Sequence, residues 1–198
     1  MTGADYPDPP SWHGPARFPI ISPMEILIAA DRIHQRVVEL ADQIEREYKG
    51  RPIMVVGVLT GCLVFLADLI RRLDLPLRIH LVQASSYRGT ATSPGALQLR
   101  ADALPDLTGR EILIVDDILD TGQTLSRVID AIRARGAATV RVAVLLRKKE
   151  RLVEPVAADY VGFDIPDEFV VGYGLDYNDE YRHLPHIAVF RSTKDDSN

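Results

Sequence analysis

Apolar positions along this chain follow two alternating rhythms. In "SPMEILIAADRIHQRVVELADQIEREYKG" (22–50), Ile26, Ile33, Val37, Leu40 and Ile44 fall on one face at helical spacing. Ser22 as cap, Pro23 at the first helical position and Glu25 as the reciprocal acid predict where that helix begins, and Gly50 where it stops. "PIMVVGVL" (52–59) is a short unbroken apolar run, the signature of a strand buried on both faces. A helix, "CLVFLADLIRRLD", and a second strand, "LRIHLVQA", follow. Next come a strand, "REILIVDD", a helix, "TLSRVIDAIRARG", with Leu125, Val128, Ile129 and Ile132 on one face, and a strand, "ATVRVAVLL". Strands alternating with helices predict an α/β fold, with a central, mainly parallel sheet flanked by helices.

Two regions break the rhythm. "SSYRGTATSPGALQLRADALPDLTG" is long, polar and rich in turn residues, and is read as a loop of functional character. From Arg147 onward come short strand-like pieces, "ADYVGFDIP", "EFVVGYGL" and "HIAVF", which predict either a smaller lobe or an edge extension of the same domain. The expected organisation is a flexible N-terminal tail (1–21), one domain (22–190) and a polar C-terminal tail (191–198).

Composition narrows the class. Across 198 residues, 46% hydrophobic and 26% charged content describes an ordinary globular domain with a proper core. A formal net charge of −5 argues against binding to a nucleic-acid backbone, which needs a basic face. One cysteine, Cys62, excludes an internal disulfide and a multi-cysteine zinc site, and suits a reducing cytoplasm. No apolar run approaches the ~18 residues of a membrane span, and the proline- and acid-bearing N-terminus is expected to be a flexible tail rather than a signal peptide.

The chemistry concentrates in "ILIVDDILDTGQTL" (112–125). A buried strand runs into Asp116 and Asp117, Asp120 follows, and then Thr121, Gly122, Gln123 and Thr124 open a helix. Ligands of parallel sheets lie at the carboxyl ends of strands. Unpaired N–H groups at a helix start suit a phosphate, whereas the acids suit hydroxyls or a cation. A ligand with both a phosphate and a sugar diol, accompanied by magnesium, satisfies both.

This segment resembles the sugar-phosphate signature of type I phosphoribosyltransferases, which use 5-phosphoribosyl-1-pyrophosphate (PRPP) and magnesium. "VGVLTGCLVFLADL" looks like their pyrophosphate loop, "SSYRGT" like the lid of the 6-oxopurine branch, and "DYVGFDIPDEFVVGYGLDYNDEYRHLP" like the purine-binding end, or hood, of the hypoxanthine-guanine enzymes. The similarity spans about 20–190 in one order. It implies a PRPP-binding core over about 51–147, a purine-binding part over about 148–190, and formation of IMP or GMP plus pyrophosphate. A cytoplasmic homodimer or homotetramer is implied too.

Carried onto these positions, the resemblance gives Asp116 and Asp117 to the ribose hydroxyls and, with Asp176, to magnesium. Thr121, Gly122, Gln123 and Thr124 go to the 5′-phosphate, and Leu59, Thr60, Gly61 and Arg182 to pyrophosphate. Asp120 is implied as the general acid or base at purine N7. Lys148 (or Lys149, one residue away in the same basic cluster) would donate to the 6-oxo group. Phe169 would stack on the base, Val170 and Asp176 would offer main-chain carbonyls to it, and Ser86 and Tyr87 would form the lid. Three positions depart from the pattern: Asp116 stands where relatives more often have Glu, Thr60 where many have Lys, and Cys62 where many have a small residue. A cis peptide bond at Leu59–Thr60 is also implied. The rival readings are an RNA-binding regulator on this fold, against which Asp120 and the net charge count, and a xanthine-preferring transferase.

Overall fold

The structure, a computed structural model, describes residues 24–86, 97–99 and 104–191. Its main sheet has the order β4-β3-β2-β5-β6-β7. The strands are β2 (Ile53–Leu59), β3 (Leu77–Ser86), β4 (Leu97–Leu99), β5 (Glu111–Leu119), β6 (Thr139–Arg147) and β7 (Tyr160–Asp164). All neighbours pair in parallel except β4, the edge strand, which runs antiparallel to β3. The helices are α1 (Ala30–Tyr48), α2 (Leu63–Ile70) and α3 (Gln123–Arg133).

The unbroken apolar runs bury both faces, as a covered parallel sheet requires. Alternate residues go to opposite cores. Val55, Leu113, Val115, Ala143 and Leu145 pack with α1 and α2, while Met54, Val56, Ile112, Ile114, Val142 and Val144 pack with α3. A separate sheet, ordered β1-β9-β8, joins β1 (Glu25–Ile28), β8 (Val170–Val171) and β9 (Ile187–Val189). Its residues Ile28, Val170 and Ile187 belong to the α1/α2 core, which seats this hood over that side.

Several expectations are corrected here. Residues 25–28 are not the first turn of α1 but a strand, paired antiparallel with β9 through Glu25↔Val189 and Ile26↔Ala188. Ile26 accordingly leaves the helical face and is exposed. The helix starts instead after Ala29, with no side-chain cap, so Glu25 completes no capping box; Ser22 and Pro23 lie outside the described residues. The "EILI" stretch carries two β-branched isoleucines, and a partner strand about 160 residues away outweighs the local helix signal. Within the expected loop, Leu97–Leu99 forms a strand. The C-terminal pieces divide: β7 extends the main sheet, and β8 and β9 build the lobe.

Candidate active site

The carboxyl ends of β2 and β5 and the start of α3 enclose a cleft of about 320 Å³. Leu59, Gly61, Asp116, Asp117, Asp120, Thr121, Gly122 and Thr124 line it. Two separately predicted segments thus meet because parallel strands place their ends on one rim.

Strand β5 runs to Leu119, past the first two acids, and Asp116 still pairs with Val144 of β6. Asp116 is therefore one of two buried charged residues in the described chain, the other being Lys148. Burial, followed by the neighbouring Asp117 carboxylate, holds the Asp116 carboxyl well above the ordinary carboxylate range. Asp117 is also raised, again chiefly by burial, and is drawn partly back by hydrogen bonds and the Arg182 charge. The two acids fit a cation. Among the described residues no three ligating side chains form a ready-made cage, so such an ion would complete its shell from substrate oxygens and water, as magnesium does at sites with one or two carboxylates.

Gly122 has φ +83°, and a Cβ there would come within 2.8 Å of the Glu154 carbonyl. Only glycine turns the chain into α3 at this point. Gly122 at the helix start has no side chain to cap it, and the Gln123 N–H makes only a long 3.5 Å bond to Thr121 Oγ1, which a ligand can replace. Thr121 also receives the next segment, as Val153 and Glu154 both donate to its carbonyl at 3.0 Å. Gln123 is exposed and does not line the cleft.

On the pyrophosphate side, the Leu59–Thr60 peptide bond is cis. Gly61 sits against the Asp117 carboxylate, and Gly174 of the hood against the Gly61 carbonyl. Arg182 donates to the Gly174 carbonyl at 2.7 Å and pairs with Asp176 at 2.8 Å and Asp179 at 3.0 Å. Asp176 therefore has an arginine partner, and a metal or phosphate entering here competes with that pair. Beneath the rim, Cys62 is fully buried, and burial, then Asp116 and Asp117, push its thiol far up, which makes it a packing residue.

At the base end, the basic cluster sorts itself. Lys148 is buried, with Nζ 4.0 Å from Asp120 Oδ2 and 3.5 Å from Asp167 Oδ1. Lys149 is exposed and pairs with Asp164 at 2.7 Å, away from the cleft. Phe169 is 52% exposed, with Tyr177 edge-on at 5.9 Å behind it. Val170 is buried in the hood sheet, so only its main chain is available to a ligand. Ser86 ends β3 opposite Leu97, and Tyr87 lies outside the described residues. Sequence reasoning passed over Arg151 and Asp167, both of which contact the Asp120–Lys148 pair. Their only signal was membership of charged surface clusters.

The phosphoribosyl transferase domain model matches residues 26–178. Hypoxanthine-guanine phosphoribosyltransferase of Streptococcus pneumoniae is 41% identical over 167 residues, which cover 84% of this chain and 93% of that protein. The enzyme of the same name from Staphylococcus aureus is 39% identical over the same shares of each. This chain belongs to the phosphoribosyltransferase family, in its hypoxanthine-guanine branch. Among solved structures, a hypoxanthine-guanine phosphoribosyltransferase of Bacillus anthracis superimposes with a TM-score of 0.79 at 40% identity, over 84% of this chain and 98% of that one. A Trypanosoma cruzi hypoxanthine phosphoribosyltransferase in a ternary complex with substrates gives 0.78 at 38% identity, over 84% and 95%.

Proposed function

We propose that this enzyme transfers the 5-phosphoribosyl group of PRPP to N9 of hypoxanthine or guanine, giving IMP or GMP and pyrophosphate in purine salvage. One observation carries the residue-level reading. A buried lysine and a half-buried carboxylate, Lys148 and Asp120, stand 4.0 Å apart at the rim that also holds the amide turn and the paired acids. A 6-oxopurine offers that pair an acceptor, O6, and a donor, N7–H, on adjacent positions. Adenine places a donor opposite the lysine, leaving a buried cation unmatched.

The residues divide the work. The N–H groups of 121–124 hold the 5′-phosphate, and Asp116 and Asp117 hold the ribose diol. Main-chain groups of Leu59, Thr60 and Gly61, with Arg182 released from Asp176, hold pyrophosphate. Phe169 stacks on the base, while the Val170 and Asp176 carbonyls face its far edge. The bond from C1′ to pyrophosphate breaks ahead of the bond from C1′ to N9. Positive charge develops on the sugar, and the N7 proton passes to Asp120 as N9 attacks. Asp116 and Asp117 would hold a magnesium ion, joined by Asp176 once Arg182 lets it go, and the ion would supply positive charge against the leaving group. The lid role that the resemblance gives to Ser86 and Tyr87 is to exclude water, which would otherwise capture the sugar cation.

The protein works in the cytoplasm as a homodimer or homotetramer. Among the described residues no helix is long and apolar enough to cross a membrane. Exposed Ile79 and Leu81 of β3 offer apolar contact area to a second copy. Purified protein with PRPP and magnesium, offered hypoxanthine, guanine, xanthine and adenine in turn, tests the reading by nucleotide formation. Turnover of hypoxanthine and guanine is expected. Activity on adenine alone, or on no base, rejects it.

A further inference from the structure

Lys148 and Asp120 are two corners of a closed ring of alternating charge. Lys148 Nζ lies 3.5 Å from Asp167 Oδ1 and 4.0 Å from Asp120 Oδ2. Arg151 closes the other side, with Nε 2.7 Å from Asp120 Oδ1 and Nη1 3.4 Å from Asp167. Each acid therefore touches both bases, and each base both acids.

The ring is held by backbone as well as charge. Lys148 N–H donates to the Leu119 carbonyl at 2.9 Å, which ties the end of β6 to the residue before Asp120. Arg151 N–H donates to the Lys148 carbonyl at 3.2 Å within the one-turn 3-10 helix Lys149–Arg151. Asp167 comes from the connection between β7 and β8, so the ring also joins the main sheet to the hood.

The two outer corners have different tasks because the inner corners have different needs. Lys148 is an almost fully buried ammonium, which must keep a counter-charge. If Asp120 were its only partner, the lysine would close onto it, and both would be lost to an incoming base. Asp167 provides a second carboxylate and keeps the pair apart. Asp120 needs aim rather than charge. Its Oδ1 is sealed from solvent and accepts no aligned hydrogen bond, but the Arg151 charge lies 2.7 Å away as an ion pair, so the exposed part of the carboxylate is the edge bearing Oδ2, on the side of Lys148.

We propose that Arg151 and Asp167 are positioning residues for the purine. Asp167 carries the charge of Lys148 so that the ammonium is free to meet O6. Arg151 anchors one oxygen of Asp120 so that the other meets the N7 proton. This rests on the roles proposed above for Asp120 and Lys148.

Steady-state kinetics of four variants of the full-length enzyme separate the possibilities. Asp167→Asn is expected to raise KM for hypoxanthine and guanine about tenfold, with KM for PRPP and kcat changed by roughly twofold or less. Arg151→Met is expected to lower kcat about tenfold with little change in KM for PRPP, and Arg151→Lys to recover most of that loss. The double variant Arg151→Met/Asp167→Asn is expected to fall short of the product of the single effects, because both act on one ring. Thermal melts of each variant show whether it is folded. Wild-type constants in both single variants, or parallel rises in both KM values with a lowered melting temperature, would overturn the proposal. Failure of the underlying reading looks different: the wild type would transfer to no 6-oxopurine, or Lys148→Met and Asp120→Asn would retain full activity.

Discussion

The Asp117 carboxylate fills the space that any side chain at position 61 would need, so Gly61 and Asp117 fit together only because position 61 has no Cβ. The pyrophosphate segment and the diol-binding acid are thereby held in contact. Gly61→Ala must push Asp117 from its place. The expected result is a rise of about tenfold in KM for PRPP, with KM for hypoxanthine nearly unchanged. Initial-rate kinetics with each substrate varied in turn check this, and an unchanged KM for PRPP would show that Asp117 moves at no cost.

Gly174 provides a second contact with the same loop. It has φ +101°, and a Cβ there would overlap the Gly61 carbonyl, a backbone atom with little room to yield. Gly174→Ala should destabilise the fold by about 2 kcal/mol or more. Gly50→Ala is the comparison, since Gly50 has φ +75° but nothing within 4 Å of its Cβ position. Its cost is expected to be about 1 kcal/mol, from backbone conformation alone. Urea denaturation of both variants should separate them.

The Asp116 carboxyl, raised by burial and then by Asp117, makes stability depend on pH in a definite direction. The folded chain holds that proton more tightly than the unfolded chain. Its contribution is therefore fully favourable below the ordinary carboxylate range and is lost as pH rises through the raised value. Without ligand, the wild type should lose stability on passing from mildly acidic to neutral pH. Asp116→Asn should flatten that decline and be the more stable protein at neutral pH, while losing PRPP binding. A variant with the same pH slope as the wild type would contradict this.

The two adjacent lysines should part sharply. Lys148→Met removes a buried, charge-assisted donor, for which about 2 kcal/mol, or roughly thirtyfold in kcat/KM for hypoxanthine, is the expected scale. Lys149→Met removes only an exposed pair with Asp164, so a change of roughly twofold or less is expected. Kinetics of the two variants side by side check this, and a larger effect at Lys149 reverses the assignment.

Cys62 should be inert. Buried and pushed far up by burial and the two acids, its thiol is expected to resist alkylation in the folded protein and to react on unfolding. Rapid labelling by iodoacetamide under native conditions would show that the cleft floor opens.

By itself, the sequence determined whatever depends on short spacings. Strand runs such as "IMVVGVL" and the stripe Leu125–Val128–Ile129–Ile132 read out as buried strand and amphipathic helix, because side-chain direction repeats every two or 3.6 residues. The acids and the Thr121–Thr124 turn were legible too, since one continuous segment carries them to the rim. Tertiary structure decided what depends on register between distant segments. Residues 25–28 became a strand only because β9 lies beside them, overriding an apparent helix start. Lys148 was separated from Lys149 by which of them faces Asp120 across the β5–β6 register, and Arg151 and Asp167 joined that pair only once the chain had closed around it. A one-residue slip between strands reverses which side chains face the cleft, and no local pattern of polar and apolar residues encodes that choice.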